Sequence, residues 1–216
     1  HPALQYGREI INYGDLAREV AQVAAGLRQH GLQSGMRVMI WMPNLPHYPI
    51  AIYALAQIGA VAVLGDFEAG AEQLAEQIAL TGAQWLLTMD SRSADIPALR
   101  LSTGLERVVC ASSDDYGERR NAHKHDHKSA DSQSTDPDSL SWHALRQTAD
   151  DNVLAADVDP DATAVIIFTP DNAQRGIALT HTNLVAAAVQ MTVWTRATTV
   201  ERGALLSAVP FSTAIG

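Results

Sequence analysis

An α/β fold, with a largely parallel sheet flanked by helices, is what this chain predicts, and three observations predict it. Short apolar runs suited to buried strands recur at residues 37–41, 61–64, 84–88 and 107–110. Between them lie segments whose apolar residues repeat at helical spacing. Glycines at 31, 59 and 82 stand where those helices should end. Strands alternating with helices at this spacing form βαβ units, and such units build parallel sheets covered on both faces. No internal repeat is evident.

Taken in order, Asn12-Tyr13-Gly14-Asp15 offers a helix N-cap with an acidic residue at N3. Leu16, Val20, Val23 and Leu27 follow on one face, and Gly31 takes the C-cap position. Residues 37–41 read as a strand, with Met42-Pro43-Asn44 as its exit turn. A helix over 46–57 starts on proline punctuation and ends near Gly59, before the strand 61–64. The spacing over 71–81 predicts a helix with Leu74 and Ile78 inward and Leu80 as a further inward candidate, closed by Gly82. Strands follow at 84–88 and 107–110. Residues 141–147 suit a short helix, and 157–161 a loop leading into the apolar run 165–168.

The totals bound the function. A chain of 216 residues, 47% hydrophobic and 18% charged, can bury one large α/β domain or two small ones. Its net charge of −9 and pI near 5.2 argue against nucleic acid or an anionic membrane as partner. A single cysteine, Cys110, excludes an internal disulfide framework and fits a reducing, cytoplasmic setting. The longest apolar run, 48–64, falls short of the ~20 residues a spanning helix needs and is interrupted by Gln57 and Gly59, so the chain is not transmembrane. No charged leader with a cleavage site is read at its start. With His1 in first position the chain is expected to be trimmed, and it stops abruptly after an apolar segment.

Residues 111–139 break the pattern. They contain no Val, Ile, Leu, Met, Phe or Trp, so they lack the apolar area that would order them, and they predict a disordered polar insertion between segments 1–110 and 140–216. His123, His125 and His127 alternate within it, and an extended backbone would set them on one side. Two readings stand: a tract for a transition metal, or a solvated loop without fixed geometry.

The stretch 166–183, IIFTPDNAQRGIALTHTN, reads as a strand, a turn-prone loop over 169–176 and a helix from near Thr180. A strand feeding a loop and then a helix favours anions, because loop amides and the helix N-terminus present N–H groups. His181, after a Thr180 placed to cap that helix, serves either the site or the helix start. Trp41, Trp85, Trp142 and Trp194 are scattered, which suits core or interface packing and not a base-stacking platform.

Several blocks carry a family resemblance. INYGDL is similar to the Thr-Tyr-x-Glu-Leu helix start of the acyl-CoA synthetases, within the adenylate-forming superfamily. GLQSGMRVMIWMPNLPHYPIAIYALAQIGAVAVLGD resembles bacterial long-chain fatty-acid–CoA ligases, and EQLAEQIALTGAQWLLT resembles the helix and strand that follow there. IIFT, GIALTHTN and AVPFSTAIG then occupy the places of later blocks in the same order. The resemblance implies part of the large N-terminal domain of an AMP-forming ligase. Such an enzyme joins a fatty acid or other carboxylate to ATP as an acyl-adenylate, with Mg²⁺, and passes the acyl group to coenzyme A.

The resemblance also exposes departures. The family's phosphate loop runs roughly Thr-Ser-Gly-Thr-Thr-Gly-x-Pro-Lys-Gly. Here Thr169-Pro170-Asp171-Asn172-Ala173-Gln174-Arg175-Gly176 is two residues shorter, without the glycines or the hydroxyl run. Pro170 removes an N–H donor, Asp171 sets a negative charge where phosphate oxygens would lie, and Arg175 replaces the lysine. By resemblance Thr169, Asp171, Asn172, Arg175 and Gly176 form a degenerate phosphate loop, either altered but working or an inert connection kept for its backbone path. In the last block Thr213 holds a histidine position, with Pro210 and Gly216 in register; Thr213 and Gly216 are substrate-pocket candidates, or Thr213 simply closes a turn. The adenine-binding segment and the small C-terminal domain are expected past Gly216, so this chain alone is expected to be inactive. It serves as a fragment of a ligase, or as a non-catalytic domain binding acyl chains or protein. Surface left uncovered by the missing part is expected to drive self-association.

Overall fold

The computed structural model describes residues 1–116, 138–147, 156–169, 172–196 and 206–213. Seven strands form one sheet: β3 (Arg37–Trp41), β4 (Val61–Leu64), β5 (Trp85–Met89), β6 (Arg107–Ala111), β7 (Leu140–Ser141), β8 (Thr163–Thr169) and β9 (Asn172–Thr180). Their spatial order is β7-β6-β5-β3-β4-β8-β9, parallel throughout except for the antiparallel β8–β9 pair. The α/β expectation holds. Before the sheet, β1 (Pro2–Tyr6) and β2 (Glu9–Asn12) make a separate antiparallel hairpin that the sequence reading left without structure.

The helices are α1 (Tyr13–Gln29), α2 (His47–Ile58), α3 (Ala71–Thr81), α4 (Ile96–Ser102), α5 (Trp142–Gln147) and α6 (His181–Arg196). Alternation along each strand splits the core in two. Val38 and Ile40 of β3, with Trp85 and Leu87 of β5, pack beneath α1, α2 and α5. Met39 and Trp41, with Leu86 and Val108, pack beneath α3 and α4. Strands buried on both faces explain why these runs are uniformly apolar instead of alternating.

Several helix bounds follow the expected punctuation. Gly59 and Gly82 adopt left-handed φ of 80° and 64° at the ends of α2 and α3, where an L side chain would be strained. Leu74 and Ile78 are buried, whereas Leu80 is 56% exposed and faces solvent instead of the core. Residues 112–116, read as the start of the polar insertion, are built into the fold. Ser112 opens a short 3₁₀ turn with a reciprocal capping box to Asp115, and Tyr116 is fully buried.

Helix α1 meets α5 by backbone contact at Gly26. A Cβ on that residue would lie 2.3 Å from the Leu145 carbonyl oxygen, so the two helices are as close as peptide groups permit. Gly14, in the first turn of the same helix, has nothing within 4 Å of that position. The two glycines should therefore respond oppositely to alanine. We expect Gly26→Ala to lower the unfolding free energy by about 2 kcal/mol or more through overpacking, and Gly14→Ala to raise it by about 0.5–1 kcal/mol. Urea denaturation followed by circular dichroism checks both signs.

Candidate functional site at the carboxyl edge of the sheet

Strand order reverses at β3, which has β5 on one side and β4 on the other. The chain leaves β3 into α2 on one face of the sheet, while β5 leads to α4 on the opposite face. Connections departing in opposite directions open a crevice at the carboxyl ends of such strands, the usual place for a ligand in an open α/β sheet. Two exits meet beside the carboxyl end of β3: Met42-Pro43-Asn44 after β3 itself and Asp66-Phe67-Glu68 after the neighbouring β4.

Side chains stitch these exits together. The Trp41 indole N–H donates to the Asp66 carbonyl at 2.9 Å. Arg92 donates to the Phe67 carbonyl at 2.7 Å, and its guanidinium lies 4.6 Å and 4.8 Å from the Trp41 and Phe67 ring centroids. Gly65 permits the tight exit of β4, because a Cβ there would sit 3.0 Å from the Met39 sulfur and 3.1 Å from Leu74. Residues 206–213 return across this edge, and a cavity of about 220 Å³ lies between them and the exits, bordered by Met42, Asn44, Asp66, Phe67, Glu68 and Pro210.

A larger cleft of about 630 Å³ lies at the amino-terminal edge, where His181 and Thr182 of α6 face Val158 and Pro160. Its size exceeds its chemistry. Thr182 is spent on the Pro160 carbonyl at 2.9 Å and Asp161 at 3.1 Å, and the His181 amide donates to Ala162 at 3.3 Å. Thr180 and Asn183 exchange side-chain and backbone hydrogen bonds at 3.1 Å and 3.0 Å, a reciprocal cap that accounts for Thr180 at the helix start. The smaller cavity at the carboxyl edge, between the exits of β3 and β4, is the better candidate site.

The anticipated phosphate loop is not a loop over 169–176. Thr169 pairs with Asn172, so only residues 170 and 171 link β8 to β9, and Asn172 to Gly176 belong to a strand. Gly176 lies opposite Phe168, and a Cβ there would come within 3.0 Å of Ile166. Its role is close strand packing. Arg175 is exposed on β9, Thr169 is half-buried, and Asp171 lies outside the described residues. Thr213 closes a turn, its amide at 3.1 Å and its hydroxyl at 2.9 Å from the Pro210 carbonyl. Gly216, His123, His125 and His127 also lie outside the described residues. Among the described residues no group of three or more His, Cys, Asp or Glu could hold a metal, and no helix is long and apolar enough to cross a membrane.

The sequence reading missed a buried polar network behind this edge. His47, at the start of α2, is fully buried, and its Nε2 lies 3.0 Å from Asp115 Oδ2. Asp115 also accepts the Ser112 N–H at 2.9 Å. Tyr116 donates to Glu19 at 2.9 Å, and Arg146 of α5 pairs with the same Glu19 carboxylate. The His47 ring stands edge-on to Tyr116 and Trp142, with centroids 4.6 Å and 5.0 Å away. A signal existed. Glu19 stands three residues after Leu16 and four before Val23, on the apolar face of α1, where a carboxylate requires partners.

Burial pushes His47 below its ordinary value of 6.5, outweighing the hydrogen bond and charge of Asp115. Neutral His47 donates through Nε2, and its Nδ1 has no partner among the described residues. Burial alone would raise Asp115, but the His47 hydrogen bond, followed by the Ser112 amide, overcomes it and holds the carboxyl below 3.8. Both shifts act in one direction. Below 6.5 the unfolded chain takes up a proton at His47 that the folded chain resists, and below 3.8 the same holds for Asp115. Stability from these groups is complete above 6.5 and falls as the pH drops, first through His47 and then through Asp115. Denaturation midpoints measured between pH 7.5 and 3 should show this decline, and His47→Gln should flatten the part that begins at pH 6.5.

Comparison with known proteins places these features. The family model described as AMP-binding enzyme matches residues 1–216. Feruloyl-CoA synthase from Amycolatopsis sp. is 35% identical over 97 residues, covering 45% of this chain and 20% of that protein. 4-Coumarate–CoA ligase 4 from Arabidopsis thaliana is 24% identical over 183 residues, covering 84% of this chain and 30% of that one. Among solved structures, a long-chain-fatty-acid-CoA ligase from Archaeoglobus fulgidus superposes with a TM-score of 0.71 at 22% identity, over 91% of this chain and 35% of that chain. The fold is thus that of the N-terminal domain of adenylate-forming enzymes, and the chain spans about a third or less of the length of these relatives.

Proposed function

The chain belongs to the AMP-binding enzyme family, and from that premise we propose that it forms the N-terminal, sheet-building part of an acid–thiol ligase for an aliphatic carboxylate. In that role it contributes the scaffold and one wall of the carboxylate site, and it does not complete adenylation alone. The observation that carries this reading is the meeting of the β3 and β4 exits with residues 208–212 on one cavity at the carboxyl edge of the sheet. The blocks GLQSGMRVMIWMPNLPHYPIAIYALAQIGAVAVLGD and AVPFSTAIG supply opposite sides of that cavity. Their likeness to long-chain fatty-acid–CoA ligases supports a medium or long aliphatic acid as substrate.

ATP, Mg²⁺ and coenzyme A come with the family, but the residues at the β8–β9 turn do not fit a wrapped triphosphate. The link is two residues long; Pro170 has no N–H to offer, and Asp171 is a carboxylate. A like-charge pair at ~4 Å costs about 4 kcal/mol at an effective dielectric near 20. That observation favours a second reading, a non-catalytic domain binding acyl chains or protein. Both readings predict no turnover by this chain alone. Calorimetry on this chain should give ATP binding weaker than micromolar, and pyrophosphate release with ATP and fatty acid should be absent. Asp171→Asn should strengthen ATP binding about tenfold, the part of that repulsion left after screening. Robust pyrophosphate release by the unmodified chain would overturn both readings.

One face of α6 supports self-association. Val185, Val189 and Val193 recur at helical spacing and are 63%, 57% and 64% exposed, with Trp194 at 83% beside them. Light scattering should show a mass above the monomer's 23.2 kDa, and Val189→Lys with Trp194→Glu should shift it toward the monomer.

A further inference from the structure

We propose that Asn44 is a positioning residue for the carboxylate site, its side-chain amide holding residues 209–213 over the cavity and so setting the place of Pro210 and Ser212, which border it. The inference rests on the carboxylate reading above and deepens it. It assigns the role to a turn residue whose side chain was not among the sequence candidates.

The geometry is a two-point clip. Asn44 Nδ2 donates to the Val209 carbonyl at 2.7 Å, and its Oδ1 accepts the Phe211 N–H at 2.8 Å. A carboxamide has the donor and acceptor of a peptide group, so Asn44 takes the part of a neighbouring strand across 165 residues of sequence. The clip is the hydrogen-bonded tie between the held segment and the sheet among the described residues. The segment contains no strand or helix, Leu206 is 90% exposed, and its own bonds are short-range, from Thr213 to Pro210 and from Ser207 to Val209. Among the described residues it also meets the fold at the Phe211 ring, 5.5 Å from that of Tyr48, and at Ser212, which is buried. Because Pro210 lies between the two clipped peptide groups and accepts both bonds of Thr213, the clip fixes the turn that carries Pro210 and Ser212 to the cavity.

Asn44 itself is anchored at the buried exit of the central strand. It follows Met42, 2% exposed, at the exit of β3. Leu45 turns back on the Pro43 carbonyl at 2.7 Å, which directs the chain into α2. The clip thus refers residues 209–213 to the central strand of the sheet.

The test compares this chain with Asn44→Ala, Asn44→Asp and Tyr48→Phe. Each hydrogen bond is expected to contribute a factor of about five to local order. Phe211 amide exchange should therefore be about 25-fold faster in Asn44→Ala, with exchange in β3, β4 and β5 unchanged. Asn44→Asp keeps the size and the acceptor but sets a carboxylate against the Val209 carbonyl, so it should exchange at an intermediate rate. It also serves as the second variant should Asn44→Ala not fold. Tyr48→Phe keeps the ring contact and should exchange like the parent. Dodecanoate titrated by calorimetry should bind the parent and Tyr48→Phe alike, and Asn44→Ala about tenfold more weakly. Unchanged Phe211 exchange in both Asn44 variants would overturn the clip. Faster exchange with unchanged dodecanoate affinity would overturn the positioning role and leave the carboxylate reading standing. Failure of the parent to bind dodecanoate would overturn the carboxylate reading and the role toward substrate, while the exchange measurements still decide the clip.

Discussion

The structure depends on β3 being paired on both sides, with β4 by one register and β5 by another. Four of its five residues are buried and apolar, and successive side chains enter opposite layers of the core. A strand so placed cannot shift by one residue without exchanging Val38 and Ile40 for Met39 and Trp41 across the sheet. Its register is therefore tightly specified, and so is the position of its exit. Asn44, His47 and the start of α2 inherit that precision, which is why residues distant in sequence use them as anchors.

Two polar systems exploit that anchor in different ways. Asn44 faces the cavity and satisfies backbone groups of residues 209–213 that no strand would satisfy. His47 points into the core, where Asp115, Tyr116, Glu19 and Arg146 bring together α1, α2, α5 and the exit of β6. Buried charges of this kind add little net stability over apolar replacements, but removing one partner leaves another stranded. The network is better understood as a device that fixes which elements meet behind the site. Gly26, where α1 and α5 touch backbone to backbone, serves the same geometric end without any charge.

The β8–β9 hairpin separates scaffold from chemistry. Its pairing places Gly176 against Phe168 and carries the chain back to α6, as the flanking blocks require. Only residues 170 and 171 link Thr169 to Asn172, so most of this stretch is built as paired strands and not as an open loop.

The sequence by itself determined the α/β class, the strands at 37–41 and 61–64, the helix at 71–81 and the family. Those features are written in local period and in Gly and Pro punctuation, which operate within a few residues. It left the β1–β2 hairpin unread and took 169–176 for a loop, because antiparallel pairing is decided by the partner strand and not by the residues alone. Likewise Tyr116 sits in a tract with no Val, Ile, Leu or Met, and only the packing of α1 and α5 around it makes it core. The clip at Asn44 and the Glu19–Arg146 pair span 165 and 127 residues. Contacts of that separation leave no periodic trace, so only the tertiary structure could decide that a turn asparagine and a helix glutamate are where this fold is held together.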